Sequence, residues 1–268
     1  MSRNSFSLLA SRRRNASYHT ARLILAIPVA LALSACSGTP SDLVRAYELQ
    51  SRGDLDTAIA LYDVALNKEH LRPRDAAMAY VNRGSAWRAK GEVDKALADY
   101  DAAEKIDPNW VQIYYNRGIA WRAKGNLDKA IQEYAQALRV DPKHYGSYEN
   151  RGNAWWAKRD YDRAIQDYDA ALSIDPKRAS GYYNRGLAWY TKGEHQKAVD
   201  DYSEAVRLDP QYSNVYYSRG LAYWKLVDHQ RAIQDFERQL AYTPDNEDAR
   251  IAREAILVEF ECKEGAKR

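Results

Sequence analysis

The stretch Tyr114–Gly125, YYNRGIAWRAKG, is restated with small changes at Tyr80–Gly91, Tyr148–Arg159, Tyr182–Gly193 and Tyr216–Val227. Gly84, Gly118, Gly152, Gly186 and Gly220 stand 34 residues apart, as do Asp107-Pro108, Asp141-Pro142, Asp175-Pro176 and Asp209-Pro210. Counted from Ala77, Val111, Tyr145, Ala179 and Ser213, each unit carries Tyr at offset 4, Arg-Gly at 7 and 8, Trp at 11 (Tyr223 in the last), Ala at 20, an aromatic at 24 and Pro at 32. Offsets 4, 8 and 11 share one face of a helix, and 20, 24 and 27 one face of a second, so the period predicts a helical hairpin per unit. Gly at offset 8 and Ala at offset 20 let the two helices approach closely, with rings such as Tyr114, Trp121 and Tyr134 around the contact. Gly91, Gly125 and Gly193 at offset 15 suit the left-handed residue that ends a helix. Arg159 and Val227 replace that glycine, and those two turns are expected to differ in shape. Asp-Pro stops the second helix, because the residue before proline avoids helical dihedrals.

The spacing and the residues at these offsets resemble the tetratricopeptide repeat. The resemblance implies an all-α fold, a right-handed superhelical α-solenoid of stacked hairpins, with units at 77–110, 111–144, 145–178, 179–212 and 213–246. A degenerate capping repeat is expected at 42–76: Gly53, Ala58, Tyr62 and Ala65 keep the second half of the pattern, Ala46 takes the first glycine position, and the join from Asn67 to Asp75 is longer and carries Pro73. A C-terminal capping helix is expected within 247–268. Its stripe Ile251, Ala255, Val258 and Cys262 would cover the open face of the last hairpin.

At 46% hydrophobic and 29% charged residues, the 268-residue composition is that of a globular chain. The formal charge of +3 rests on Arg3, Arg12, Arg13, Arg14 and Arg22; from Cys36 onward 35 basic residues face 37 acidic ones. Nucleic acid is therefore not an expected partner, since phosphate binding needs a basic excess. Those arginines precede an apolar run of 11 residues, Leu23–Leu33, too short to span a bilayer as a helix and suited to a signal peptide over 1–35. Leu33-Ser34-Ala35-Cys36 resembles the lipobox of bacterial lipoproteins. That resemblance implies lipidation of Cys36, a lipidated tether at 36–41, and a cell-envelope location, facing the periplasm from the outer membrane because Ser37 is not the aspartate of inner-membrane retention. Cys262 would then be the one free thiol.

In a stack of such hairpins, first-helix offsets 2, 5, 9, 12 and 13 line the concave surface, with offset 6 at its edge. Offset 6 holds Asn82, Asn116, Asn150 and Asn184, broken by Ser218. It resembles the asparagine ladder with which some tetratricopeptide domains hold an extended peptide, and an amide can bond any peptide unit without reading its side chain. The same amides could equally fix the stacking. Offset 5 gives Tyr115, Tyr183 and Tyr217, and offset 12 gives Trp156, Tyr190 and Trp224; exposed aromatics are usual interface anchors. The expected partner is thus a protein or extended peptide in the periplasm, with the membrane engaged through Cys36. A glycan or peptidoglycan on the aromatic platforms is the alternative. The lysine and asparagine that clamp a terminal carboxylate in other members of the family are missing: Val81 and Ser85, Tyr115 and Ile119, Glu149 and Asn153 stand there instead.

Arg83, Arg117, Arg151, Arg185 and Arg219 depart from the family's usual leucine at offset 7, and offset 23 is acidic in the same units: Asp99, Glu133, Asp167, Asp201 and Asp235. Two coordinated departures predict a repeated structural ion pair. No catalytic set, phosphate loop or nucleophile motif is present. His195 and His229 share offset 17 but have no third ligand, so neither a metal nor a cofactor is expected, nor a small-molecule substrate.

Overall fold

The computed structural model describes residues 41–67 and 71–265. The segment expected to be a signal peptide and Cys36 lie outside the described residues, and so does the side chain of Cys262. Among the described residues there are thirteen helices and no strand. Helices α1 (Ser41–Ser51) and α2 (Leu55–Leu66) make the first hairpin, followed by α3 (Pro73–Ala89) with α4 (Val93–Ile106), α5 (Val111–Ala123) with α6 (Leu127–Val140), and α7 (Tyr145–Ala157) with α8 (Tyr161–Ile174). Then come α9 (Ala179–Lys192) with α10 (His195–Leu208), α11 (Ser213–Lys225) with α12 (His229–Tyr242), and the unpaired α13 (Glu247–Gly265). Each helix packs on its hairpin partner, and the second helix of each pair packs on the first helix of the next, which makes the array a solenoid.

The core repeats with the sequence. The offset 24 rings Tyr62, Tyr100, Tyr134, Tyr168, Tyr202 and Phe236 are fully buried, each worth about 1.5–3 kcal/mol of apolar burial. Glycine at offset 8 makes room for them: a Cβ on Gly118 would lie 2.6 Å from the Tyr134 ring, and one on Gly220 2.8 Å from Phe236. The buried hydroxyls follow offset 9. Tyr100 meets Ser85 Oγ at 3.3 Å and Tyr168 donates to Asn153 Oδ1 at 2.7 Å. Where offset 9 is Ile119, the Tyr134 hydroxyl has no hydrogen-bond partner; where it is Leu187, the Tyr202 hydroxyl turns to Ser218 of the next repeat instead. Where it is Leu221, the ring is Phe236 and needs none.

All five expected arginine–carboxylate pairs form. Arg83, Arg151, Arg185 and Arg219 each grip the offset 23 aspartate of their own hairpin through Nε and Nη2 at 2.6–2.9 Å, and Arg117 lies 3.0 Å from Glu133. The same arginines also reach backwards to offset 25 of the preceding hairpin: Arg83 to Asp63, Arg117 to Asp101 and Arg185 to Asp169 at 2.5–2.8 Å, and Arg219 to Ser203 Oγ at 3.2 Å. Arg151 would meet Ala135 there and has no second partner of that kind. The pairs are therefore joints between repeats as well as staples within them.

A second row of joints escaped the sequence reading. Lys90, Lys124, Lys158 and Lys192 at offset 14 pair with Asp56, Asp94, Asp128 and Asp162 at offset 18 of the preceding hairpin. They also help bracket the offset 11 tryptophan with the cation at offset 19: Lys124 and Lys129 lie 5.7 and 4.0 Å from the Trp121 ring centre. These are surface pairs of small individual worth. The row stops at the last joint, where Leu226 and Gln196 take the two places.

Three expectations need correction. Arg159 and Val227 do not change the turn: their φ values of 66° and 63° match the left-handed Gly53, Gly91, Gly125 and Gly193. Arg159 N bonds Trp156 O and Asp160 N bonds Trp155 O, the same closure that Gly125 and Asn126 make on Arg122 and Trp121. The helix-end hydrogen bonds dictate the conformation and the side chain bears the strain. The end of the longer join is helical: Pro73 starts α3 four residues before Ala77, and Arg72 bonds Asp75 across that extra turn. Finally, α13 is rotated from the expected packing. Ala249, Ala252 and Ile256 face the last hairpin, whereas Ile251 and Val258 are 39% and 61% exposed. Small residues carry the close helix contact here, as at offsets 8 and 20.

Candidate functional site

The groove residues sort into two classes by what they touch. At offset 5, each tyrosine is wedged into the stack. The Tyr115 ring meets Tyr134 at 6.2 Å and His144 of the next joint edge-on at 4.9 Å; Tyr183 sits 6.0 Å from Tyr202 and 5.1 Å from Tyr212; Tyr217 packs on Phe236 at 5.7 Å. Burial pushes the Tyr115 hydroxyl above its ordinary pKa, with Glu149 adding to the rise. These rings join adjacent repeats.

Offset 12 is more open. Trp156 leans edge-on against Tyr161 at 6.5 Å, Tyr190 against His195 at 5.2 Å, and the Trp224 Nε1 donates to Glu259 on α13 at 3.4 Å. All three are half-buried. In the first two full repeats the same offset holds Arg88, half-buried, and Arg122, exposed. Because α13 begins 34 residues after Ser213, its Ile251 and Val258 fall at offsets 5 and 12 and continue the lining. The apolar half of the groove thus runs from Trp156 on to α13, beyond the tyrosines and tryptophans that the sequence singled out.

The asparagines of offset 6 differ among themselves. Asn150 spends both amide hydrogens inside the fold, on Gly146 O at 2.9 Å and Tyr115 Oη at 3.2 Å. Asn184 donates to Glu149 Oε1 at 3.3 Å. Asn82 neighbours the hydroxyl of Tyr62 in the capping hairpin. Asn116 makes no side-chain hydrogen bond among the described residues. Two of these bonds, Asn150 to Tyr115 and Asn184 to Glu149, link offset 6 to offset 5 of the preceding repeat, 35 residues apart.

Glu149, which the sequence marked only as a departure from the carboxylate clamp, stands at offset 5 of the middle repeat. Ser180 Oγ donates to it at 2.9 Å beside the Asn184 amide, and burial raises its carboxyl above the ordinary range. It sits where neighbouring repeats place Tyr115 and Tyr183. Its acid character was visible in the sequence; the polar pocket was not, because Ser180 and Asn184 come from the next repeat.

No cluster of His, Cys, Asp and Glu suited to a metal occurs among the described residues, and none of their helices is long and apolar enough to cross a membrane. What the groove presents is amide, aromatic and guanidinium groups along a row, an arrangement for holding a polymer by many weak contacts.

Sequence profiles of the TPR repeat match residues 84–121 and 187–227, and two further profiles of the tetratricopeptide repeat match 115–179 and 213–246. The chain belongs to the tetratricopeptide repeat family. This tetratricopeptide chain is similar to the crystal structure of MamA, at 27% identity over 62% of this chain and 96% of that one, with a TM-score of 0.57. It is also similar to YrrB, a TPR protein with an unusual peptide-binding site, at 20% identity over 66% and 92% and a TM-score of 0.58. A tetratricopeptide repeat protein from Parabacteroides merdae aligns over 82% of this chain and 86% of its own at 22% identity, with a TM-score of 0.66. Among curated proteins, no sequence matches it.

Proposed function

We propose that this chain is a non-catalytic scaffold that holds an extended polypeptide in its concave groove, tethered by lipid at Cys36 to the periplasmic face of a bacterial outer membrane. The observation that carries the groove reading is the offset 12 row. Behind it the core is complete, each repeat closed by its own buried ring, yet Trp156, Tyr190 and Trp224 keep part of their surface outside that core. Partly exposed aromatics in register on a concave wall are anchors for a partner rather than filler for the fold. YrrB, of the same fold, has a peptide-binding site by its own description. The envelope location rests on the signal-like first 35 residues and on the Leu33–Cys36 motif.

A glycan is the less favoured occupant. Stacking on a sugar needs a broad free ring face, whereas Trp156 is half-buried with its Nε1 enclosed. Placing a photo-crosslinking amino acid at position 190 in cells of the native organism tests both readings. Crosslinks to discrete polypeptides are expected; crosslinks confined to peptidoglycan, or none above a control on the outer side of α8, would refute the proposal.

A further inference from the structure

The arginine ladder accounts for the acids enclosed within the hairpins: Asp99, Glu133, Asp167, Asp201 and Asp235 each hold an arginine of their own unit. Glu149 is half-buried as well, but it stands at a concave offset and makes no ion pair among the described residues. Arg178, at the joint that follows, turns its Nε to Asp175 at 2.8 Å and lies 5.1 Å from the Tyr145 ring centre, so it favours the Glu149 charge only from a distance. Both hydrogen bonds that Glu149 accepts, from Ser180 Oγ at 2.9 Å and Asn184 Nδ2 at 3.3 Å, fall on Oε1. Oε2 accepts none among the described residues, and it is not walled off from solvent; the Tyr145 hydroxyl stands near without completing a bond. Elsewhere offset 5 is apolar or aromatic: Val81, Tyr115, Tyr183, Tyr217, and Ile251 on α13. A carboxylate in that row loses hydration and gains little packing, and a half-buried charge of this kind calls for a cation.

Resting on the groove reading above, we infer that Glu149 receives a cationic group of the bound polypeptide, a Lys or Arg side chain or the N-terminal ammonium, on its open Oε2, and thereby sets the register of that polypeptide on the aromatic row. Ser180 and Asn184 hold Oε1, so the carboxylate is oriented before the ligand arrives and little ordering remains to be done on binding. A charged donor on the second oxygen completes the carboxylate with a stronger bond than a neutral donor gives. Trp156 lies seven residues further on the same face of α7, about 10 Å away, which roughly three extended residues span. A cation at Glu149 therefore puts an apolar side chain near Trp156 when about three residues separate the two. The same atoms discriminate: an acid at that place meets the carboxylate and is repelled, and an uncharged side chain leaves Oε2 as it stands.

The test is selection from a display library of random dodecapeptides on the full-length chain, with the enriched peptides resynthesised. They are expected to carry Lys or Arg, or to need a free N-terminus, about three residues from Leu, Phe, Tyr or Trp. Exchanging that Lys for norleucine, which keeps the stem and removes the charge, should weaken binding to wild type about tenfold and leave binding to E149Q unchanged. Glutamine keeps an acceptor oxygen for Ser180 and Asn184, so the E149Q melt should stay within a few degrees of wild type. N-acetylation separates the two sources: loss on acetylation assigns the chain terminus, loss on the Lys exchange a side chain, and either supports the site. A second measurement needs no variant. Carbodiimide coupling of the Lys peptide to wild type, mapped by mass spectrometry, should join its amine to the Glu149 carboxyl, and coupling to other acids alone would overturn the assignment. Equal losses in wild type and E149Q, or enriched peptides with no basic preference, would also overturn it and leave the groove reading intact. A selection that yields no binder would overturn both.

Discussion

Arg151 donates two parallel hydrogen bonds to Asp167, from Nε at 2.9 Å and from Nη2 at 2.6 Å, and of the five ladder arginines it alone has no polar partner at offset 25 of the preceding repeat. That makes it the cleanest place to weigh the ladder. Both groups are largely enclosed, with 23% and 7% of their side-chain surface exposed. Burial holds the Asp167 carboxyl above the ordinary carboxylate value, and the arginine offsets this in part. Replacing Arg151 by Met strands the carboxylate and should destabilise the fold by about 3 kcal/mol, whereas R151M/D167L should recover most of the loss. In R151M the Asp167 pKa rises further. Above that folded value the ionised carboxylate is the penalty, and below it the carboxyl is neutral, so the deficit should shrink as pH falls from 7 towards 4. Thermal melts of wild type, both single variants and the double variant across that range decide the matter; a deficit independent of pH would mean Asp167 is not the stranded group.

Val227 and Arg159 hold φ values of 63° and 66° where equivalent turns have glycine. A left-handed residue with a Cβ costs roughly 1–2 kcal/mol, of which glycine's greater unfolded freedom returns about 0.5–1 kcal/mol. V227G should therefore raise stability by about 1 kcal/mol, and R159G by somewhat less because Arg is not β-branched. Urea titrations at constant m would show it, with G125V moving the other way.

The offset 9 rule gives a contrast between two otherwise alike tyrosines. Y168F removes the donor to Asn153 Oδ1 and should cost about 1 kcal/mol. Y134F removes a hydroxyl with no partner and should leave the melting temperature unchanged or slightly higher.

The asparagines should separate in the same way. N150A loses two internal bonds and should lower stability by about 1–2 kcal/mol. N116A should leave the melt unchanged and weaken peptide capture. Equal effects of the two on capture, with no change in either melt, would contradict the division drawn from their hydrogen bonds.

The lipid anchor is tested separately. In cells, C36S should move the protein from the membrane pellet to the soluble fraction. Retention of the variant with the membrane would refute acylation at Cys36.

The repeat was readable because its residues constrain one another at fixed spacing. Gly84 and Tyr100, or Arg83 and Asp99, are partners within one hairpin, so each departure from the family pattern is matched sixteen residues later. The joints were harder. Lys124 with Asp94, and Asn150 with Tyr115, lie 30 and 35 residues apart in different units, and each residue alone reads as an ordinary surface lysine or groove asparagine. A signal was there: lysine at offset 14 recurs through four joints, each with an aspartate at offset 18 of the unit before, and both stop together at Leu226 and Gln196. The α13 stripe misled because hydrophobicity ranks Ile251 and Val258 above Ala249 and Ala252, while close helix packing favours the alanines.

Because most joints are cut to one template, the chain can change its copy number without inventing a new interface. Loss of residues 111–144 would set Lys158 against Asp94 and Arg151 against Asp101, giving Arg151 the second acid it now lacks. A 34-codon duplication or deletion is thus met by a ready-made seam, so groove length is a quantity that recombination can adjust in whole steps while each hairpin keeps its own ring, glycine and ion pair.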